Sequence, residues 1–105
     1  MSKQDQTEGG VITEIESETT VRDMPLYKVL IHNDDKTSME FVIHILMRFF
    51  EKDQEQAMRL MLDVHEKGMG LAGIYPLEHA EFRVDQATSL ARANKFPLTL
   101  SIEPE

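Results

Sequence analysis

The chain reads as a small α+β sandwich, a three-stranded antiparallel sheet packed against three helices in the order β-α-α-β-α-β. Three observations predict it. Period-two runs of apolar residues stand near both ends of the structured part, at Leu26–His32 and Leu98–Ile102. Three stretches between them repeat apolar residues at helical spacing. Turn and capping residues separate these runs where elements must start and stop.

Leu26 to His32 is strand-like, with Tyr27, Val29 and Ile31 on one face, and Asn33-Asp34-Asp35 then breaks it with turn chemistry. Thr37 is the expected N-cap of the first helix, with Glu40 completing a Thr-x-x-Glu capping box. That helix is expected from about Ser38 to Phe50. Its stripe is Val42, Ile45, Leu46 and Phe49, and Met39, Ile43 and Phe50 widen it. Asp53 is expected to cap the second helix, with Gln56 at the box position. The helix runs to about Lys67, and Gly68 stops it. Ala57, Met61, Val64 and His65 share one face, extended by Leu60. Gly68 to Tyr75 reads as a glycine-laced strand suited to close backbone approach; it lacks the spacing and following lysine of a phosphate loop. Pro76-Leu77 opens a third helix to about Asn94. Its narrow stripe of Ala80, Val84, Ala87 and Ala91 suits flat packing on a sheet. Phe96-Pro97 ends it, and Leu98, Leu100 and Ile102 alternate with polar residues in a last strand.

The size, 105 residues, allows one domain. Residues 1–25 carry two positive and six negative side chains, two glycines and few apolar residues, and read as a mobile acidic tail before a core at 26–105. Within the tail, Val11-Ile12-Thr13-Glu14-Ile15 reads either as part of a disordered leader, the reading its surroundings favour, or as a strand that pairs on binding. No cysteine is present, which removes disulfides, thiolate metal sites and cysteine nucleophiles. No apolar run approaches the ~18–20 residues of a membrane span, and the first residues do not read as a secretory signal. A net charge of −8 argues against phosphate-led nucleic-acid binding; it permits a cationic partner and equally serves solubility alone.

The residues that can carry chemistry each have a structural use as well. Asn33, Asp34 and Asp35 suit a turn and the positive end of a helix. His65 is either a core-edge histidine or a nitrogen at the mouth of a pocket walled by Met61 and Val64. Met39 and Met61 either fill core gaps or line a deformable pocket. A metal-dependent hydrolase built on Asp34, Asp35 and His65 is a second reading, because carboxylates and imidazole ligate divalent ions. It lacks a candidate nucleophile or a second histidine in register. A passive assembly module of the same shape is a third.

Taken together, three segments closely resemble the ClpS family, bacterial N-end rule adaptors that hand substrates to a Clp ATPase and its protease. They are Tyr27 to Val42 (with Asn33-Asp34-Asp35-Lys36-Thr37-Ser38-Met39-Glu40 inside it), Met61-Leu62-Asp63-Val64-His65-Glu66-Lys67-Gly68, and Pro97-Leu98. The resemblance covers about residues 26–103. It implies that Asn33, Asp34 and His65 hold the free α-amino group and first amide of an N-degron substrate. It implies a hydrophobic pocket of Asp35, Thr37, Met39, Val42, Met61, Val64 and Leu98 for N-terminal Leu, Phe, Tyr or Trp, with Met39 gating against β-branched residues. Glu78 and Arg83 would dock on the N-terminal domain of a ClpA-like AAA+ ATPase. The resemblance further implies a cytoplasmic, monomeric, non-enzymatic adaptor that needs no cofactor or metal and binds neither nucleic acid nor membrane. Ser38 stands where many members have Pro, and Lys36 where an aromatic residue is frequent, so Lys36 bears on preference for the second substrate residue.

Overall fold

The computed structural model describes residues 24–105. The acidic leader expected at 1–25, including the alternating run at Val11–Ile15, lies outside the described residues except for Met24 and Pro25. The elements are β1 (Leu26–His32), α1 (Met39–Phe49), α2 (Gln54–Lys67), β2 (Met69–Pro76), α3 (Leu77–Ala93) and β3 (Thr99–Pro104). The expected order β-α-α-β-α-β therefore holds, and the three strands form one antiparallel sheet in the order β2-β1-β3.

β1 is the central strand and carries the two fully buried β-branched residues of the sheet, Val29 and Ile31. Tyr27 is half-buried. Its register with β2 slips between Val29 and Leu30: Val29 faces Gly73 while Leu30 faces Leu71. The extra residue, Ala72, is fully buried, so the bulge turns an additional small side chain into the core. The three helices supply the other layer. α1 buries Val42, Ile45 and Leu46, α2 buries Ala57, Met61 and Val64, and α3 buries Ala80, Ala87 and Ala91. The alanine stripe lets α3 lie close to the sheet, as its spacing predicted; Val84 sits half-buried at the margin.

Two local expectations meet different outcomes. α2 has the predicted box: Asp53 Oδ1 accepts from Gln56 N–H at 2.8 Å, and Gln56 Oε1 accepts from Asp53 N–H at 3.0 Å. Gly68 ends α2 with φ +95°, a left-handed conformation that favours glycine. The start of α1 differs from the Thr37–Glu40 box. Ser38 is the N-cap, its hydroxyl accepting from Phe41 N–H at 3.1 Å. Phe41 therefore holds the third helical position, and Glu40 falls one residue short of it. Thr37 cannot serve as the cap because its hydroxyl and its N–H are both committed to Asp34.

Candidate functional site

The site is assembled at the end of β1, where the chain leaves the sheet. Asn33 N–H donates to the Gly68 carbonyl at 2.9 Å, and Gly68 N–H donates to the Val64 carbonyl at 2.9 Å. This pair of bonds ties the β1–α1 turn to the last turn of α2. It brings Asn33 beside His65 although 32 positions separate them. The left-handed Gly68 directs its carbonyl toward the turn, so the helix stop is also a positioning device.

Asp34 organises the turn itself. Its Oδ1 accepts from Lys36 N–H at 2.8 Å and Thr37 N–H at 2.6 Å, and its Oδ2 accepts from the Thr37 hydroxyl at 2.8 Å. Partial burial pushes the Asp34 carboxyl pKa up. The Thr37 N–H and hydroxyl, the Lys36 N–H and the field of Arg92 outweigh this and hold it below the usual carboxylate value. Asp34 is therefore ionised at neutral pH. A carboxylate offers about four lone-pair sites, so three internal bonds leave Oδ2 one further acceptor site. Arg92 also donates to the carbonyls of Phe96 and Leu98, each at 2.9 Å, which fixes the chain between α3 and β3.

Between the turn, α1 and α2 lies a cavity of about 360 Å³, within the range typical of small-ligand sites. The turn contributes Asn33, Asp34, Asp35, Lys36, Thr37 and Ser38, α1 contributes Met39 and Val42, and α2 contributes Met61, Val64 and His65. Val42, Met61 and Val64 are buried and form an apolar floor, whereas Asn33, Asp35 and His65 are exposed at the rim. No polar side chain among the described residues is buried. Met39 is 46% exposed. Its place on the α1 stripe suggested core, yet the side chain stands at the cavity mouth.

Nine of the ten residues expected to form the amine site and pocket thus line one cavity. Leu98 is the exception: it is fully buried in the common core and does not line it. Lys36 and Ser38 line it without having been counted among the pocket residues; their places within the turn were the available signal. Among the described residues, no three His, Asp or Glu side chains are grouped so as to hold a metal ion.

The two residues expected to dock lie in the first two turns of α3, and they differ in freedom. Glu78 is exposed in the first turn. Arg83 is half-buried and engaged: Nη1 donates to the Phe49 carbonyl at 2.6 Å, Nη2 reaches Glu51 Oε2 at 3.3 Å, and the guanidinium lies 4.4 Å from the centroid of the Tyr75 ring. No helix of the described residues is long and apolar enough to cross a membrane.

Comparison with known proteins bears on this architecture directly. Residues 22–101 match the family model described as ATP-dependent Clp protease adaptor protein ClpS. The chain is 47% identical over 97 residues to the ATP-dependent Clp protease adapter protein ClpS of Desulfatibacillum aliphaticivorans, spanning 92% of this chain and 91% of that one. It is 40% identical over 105 residues to the ClpS of Myxococcus xanthus, spanning 100% and 98%. Among solved structures, Agrobacterium tumefaciens ClpS2 bound to L-phenylalaninamide superposes with a TM-score of 0.75 at 34% identity, covering 77% of this chain and 98% of that one. With the family model matched from before β1 into β3, through all three helices and every residue that lines the cavity, the chain belongs to the ClpS family of ATP-dependent Clp protease adaptor proteins.

Proposed function

We propose that this cavity captures the first residue of proteins that begin with Leu, Phe, Tyr or Trp, and that the chain delivers them to a Clp AAA+ unfoldase in the cytoplasm as a monomeric adaptor without catalysis of its own. One observation carries the reading: Asn33, Asp34 and His65 line the same cavity as Met39, Val42, Met61 and Val64. Acceptors for an ammonium and an apolar floor for a side chain therefore adjoin.

The chemistry of a chain terminus fits both halves. A free α-amino group has a pKa near ~7.7–8.0, so it is mostly an ammonium at neutral pH. Drawing it out of water is costly unless acceptors meet its three hydrogens. The Asn33 carbonyl, the remaining acceptor site of Asp34 and an imidazole nitrogen of His65 supply three. Burying a Leu- or Phe-sized side chain adds ~1.5–3 kcal/mol. An internal Leu offers an amide in place of the ammonium, so selectivity for termini follows from the acceptors. The phenylalaninamide bound by the Agrobacterium protein is itself an aromatic side chain with a free α-amine, which supports the same reading here. Docking through Glu78 and the surface around Arg83, with the leader at 1–25 engaging the ATPase, is the corresponding proposal for delivery.

Fluorescence polarisation tests the capture step. A Leu- or Phe-initiated peptide is expected to bind, and its N-acetylated form is expected not to; equal binding of the two overturns the proposal. Asp34→Ala and His65→Ala are expected to abolish most of the affinity while circular dichroism stays unchanged.

A further inference from the structure

We infer that Lys36 makes the rim of the cavity selective for substrates with an acidic residue at the second or third position, an inference that rests on reading the cavity as a pocket for the first residue. Lys36 lines the cavity and, among the described residues, is the sole lysine or arginine to do so. Its N–H is fixed to Asp34 Oδ1 at 2.8 Å, so its backbone has a set place on the rim, while the residue itself is exposed. Among the described residues the ion pairs are Lys67 with Asp63 and Arg83 with Glu51. The Lys36 ammonium is in neither, and it makes no hydrogen bond there.

A chain held by its amine and first side chain leaves the pocket through its first carbonyl, and residues two and three must cross the rim. Each adds ~3.4 Å in extended form, which keeps both close to the turn. The other formal charges at the rim are the carboxylates Asp34 and Asp35, on a chain of net charge −8. Such a rim without Lys36 repels an acidic substrate. With Lys36, an acid at position two or three meets a cation inside the ~8–10 Å screening distance, while the more distant acids of the chain are attenuated by salt. An exposed pair of this kind changes affinity by about 1.5- to 5-fold.

The test uses three free-amine peptides beginning with Leu that carry Glu, Gln or Lys at positions two and three, together with their N-acetylated forms. They are titrated against the wild-type chain, Lys36→Gln and Lys36→Glu. In wild type the Glu peptide is expected to bind about 1.5- to 5-fold more tightly than the Gln peptide. The preference is expected to vanish in Lys36→Gln and to reverse in favour of the Lys peptide in Lys36→Glu. A Glu-to-Lys affinity ratio that stays the same in all three proteins, with acetylated peptides still failing to bind, overturns the rim assignment alone. Equal binding of acetylated and free peptides overturns the pocket reading and this inference with it.

Discussion

The Thr37 hydroxyl donates to Asp34 Oδ2 at 2.8 Å, and the Thr37 N–H donates to Asp34 Oδ1 at 2.6 Å, so one residue grips both oxygens of the carboxylate proposed to meet the substrate amine. Thr37→Val removes the hydroxyl at nearly constant volume. Part of the bond is solvent-accessible, so the expected loss is about 1 kcal/mol of stability at pH 7 and several-fold in affinity for a Leu-initiated peptide. The Asp34 pKa is lowered in the fold. Stabilisation by the ionised carboxylate is therefore present above its unfolded value of 3.8 and lost as pH falls through the lower folded value. Urea denaturation at pH 7 and pH 3 is expected to show the difference between the two proteins shrinking in acid. An undiminished difference at pH 3 assigns the effect to packing instead.

The helix start gives a second contrast. Ser38→Ala removes the observed cap on Phe41 N–H and is expected to cost about 1 kcal/mol. Glu40→Gln touches no cap and loses only the interaction of a charge with the helix N-terminus, ~0.3–1 kcal/mol. Thermal melts of the two variants rank them; a larger loss for Glu40→Gln restores the Thr37–Glu40 box.

That contrast also shows where residue patterns were enough and where they were not. The strands, the α2 box at Asp53–Gln56 and the stop at Gly68 were readable because each depends on neighbours within a few positions. Thr37 and Ser38 are both good caps, and the choice between them turns on Asp34 capturing Thr37 first. A periodic stripe likewise cannot separate Met39 at the cavity mouth from the buried Val42 beneath it, nor Leu98 in the core from a pocket wall. Those depend on how α1, α2 and the chain before β3 are packed together. The residues proposed to hold an amine appeared in the sequence as a turn and a helix end, and the Asn33-to-Gly68 bond that joins these two segments spans 35 positions.

Met39 is exposed at the mouth while Val42, Met61 and Val64 form the floor. A side chain branched at Cβ is widest at the mouth, where Met39 stands. Met39→Ala is therefore expected to raise affinity for Ile- and Val-initiated peptides about tenfold, while Leu and Phe change less. A peptide array covering all N-terminal residues reads this. An unchanged preference removes Met39 as a gate.

Gly70 pairs with Ile31 and lies under α2. A Cβ there would stand 2.8 Å from Leu60 Cδ1 and 2.9 Å from Val64 Cγ2. Gly70→Ala must push α2 outward or displace Val64, a wall of the cavity, at a cost of about 1–3 kcal/mol. Leu60→Ala removes one of the two obstructing groups. The double variant is expected to lose less stability than the sum of the single losses, by ~0.5 kcal/mol or more. Additive losses in denaturant titrations locate the strain elsewhere.

Arg83 bears on how docking is measured. Its guanidinium donates to the Phe49 carbonyl, approaches Glu51 and covers Tyr75, joining α3 to the α1–α2 link and to β2. Burial raises the Tyr75 pKa, opposed by the Arg83 charge and reinforced by Glu51, which places all three groups in one electrostatic neighbourhood. Arg83→Ala is expected to cost about 1–2 kcal/mol through the lost hydrogen bond and ring contact. Glu78 is exposed in the first turn of α3, so Glu78→Ala is expected to cost under ~1 kcal/mol. Both variants are expected to weaken binding to the ATPase N-terminal domain, but only Arg83→Ala to lower the melting temperature by several degrees. Lys at position 83 keeps the charge and loses the two-pronged geometry. If Arg83→Lys melts like Arg83→Ala yet docks like wild type, the guanidinium serves the fold and its charge alone serves the partner.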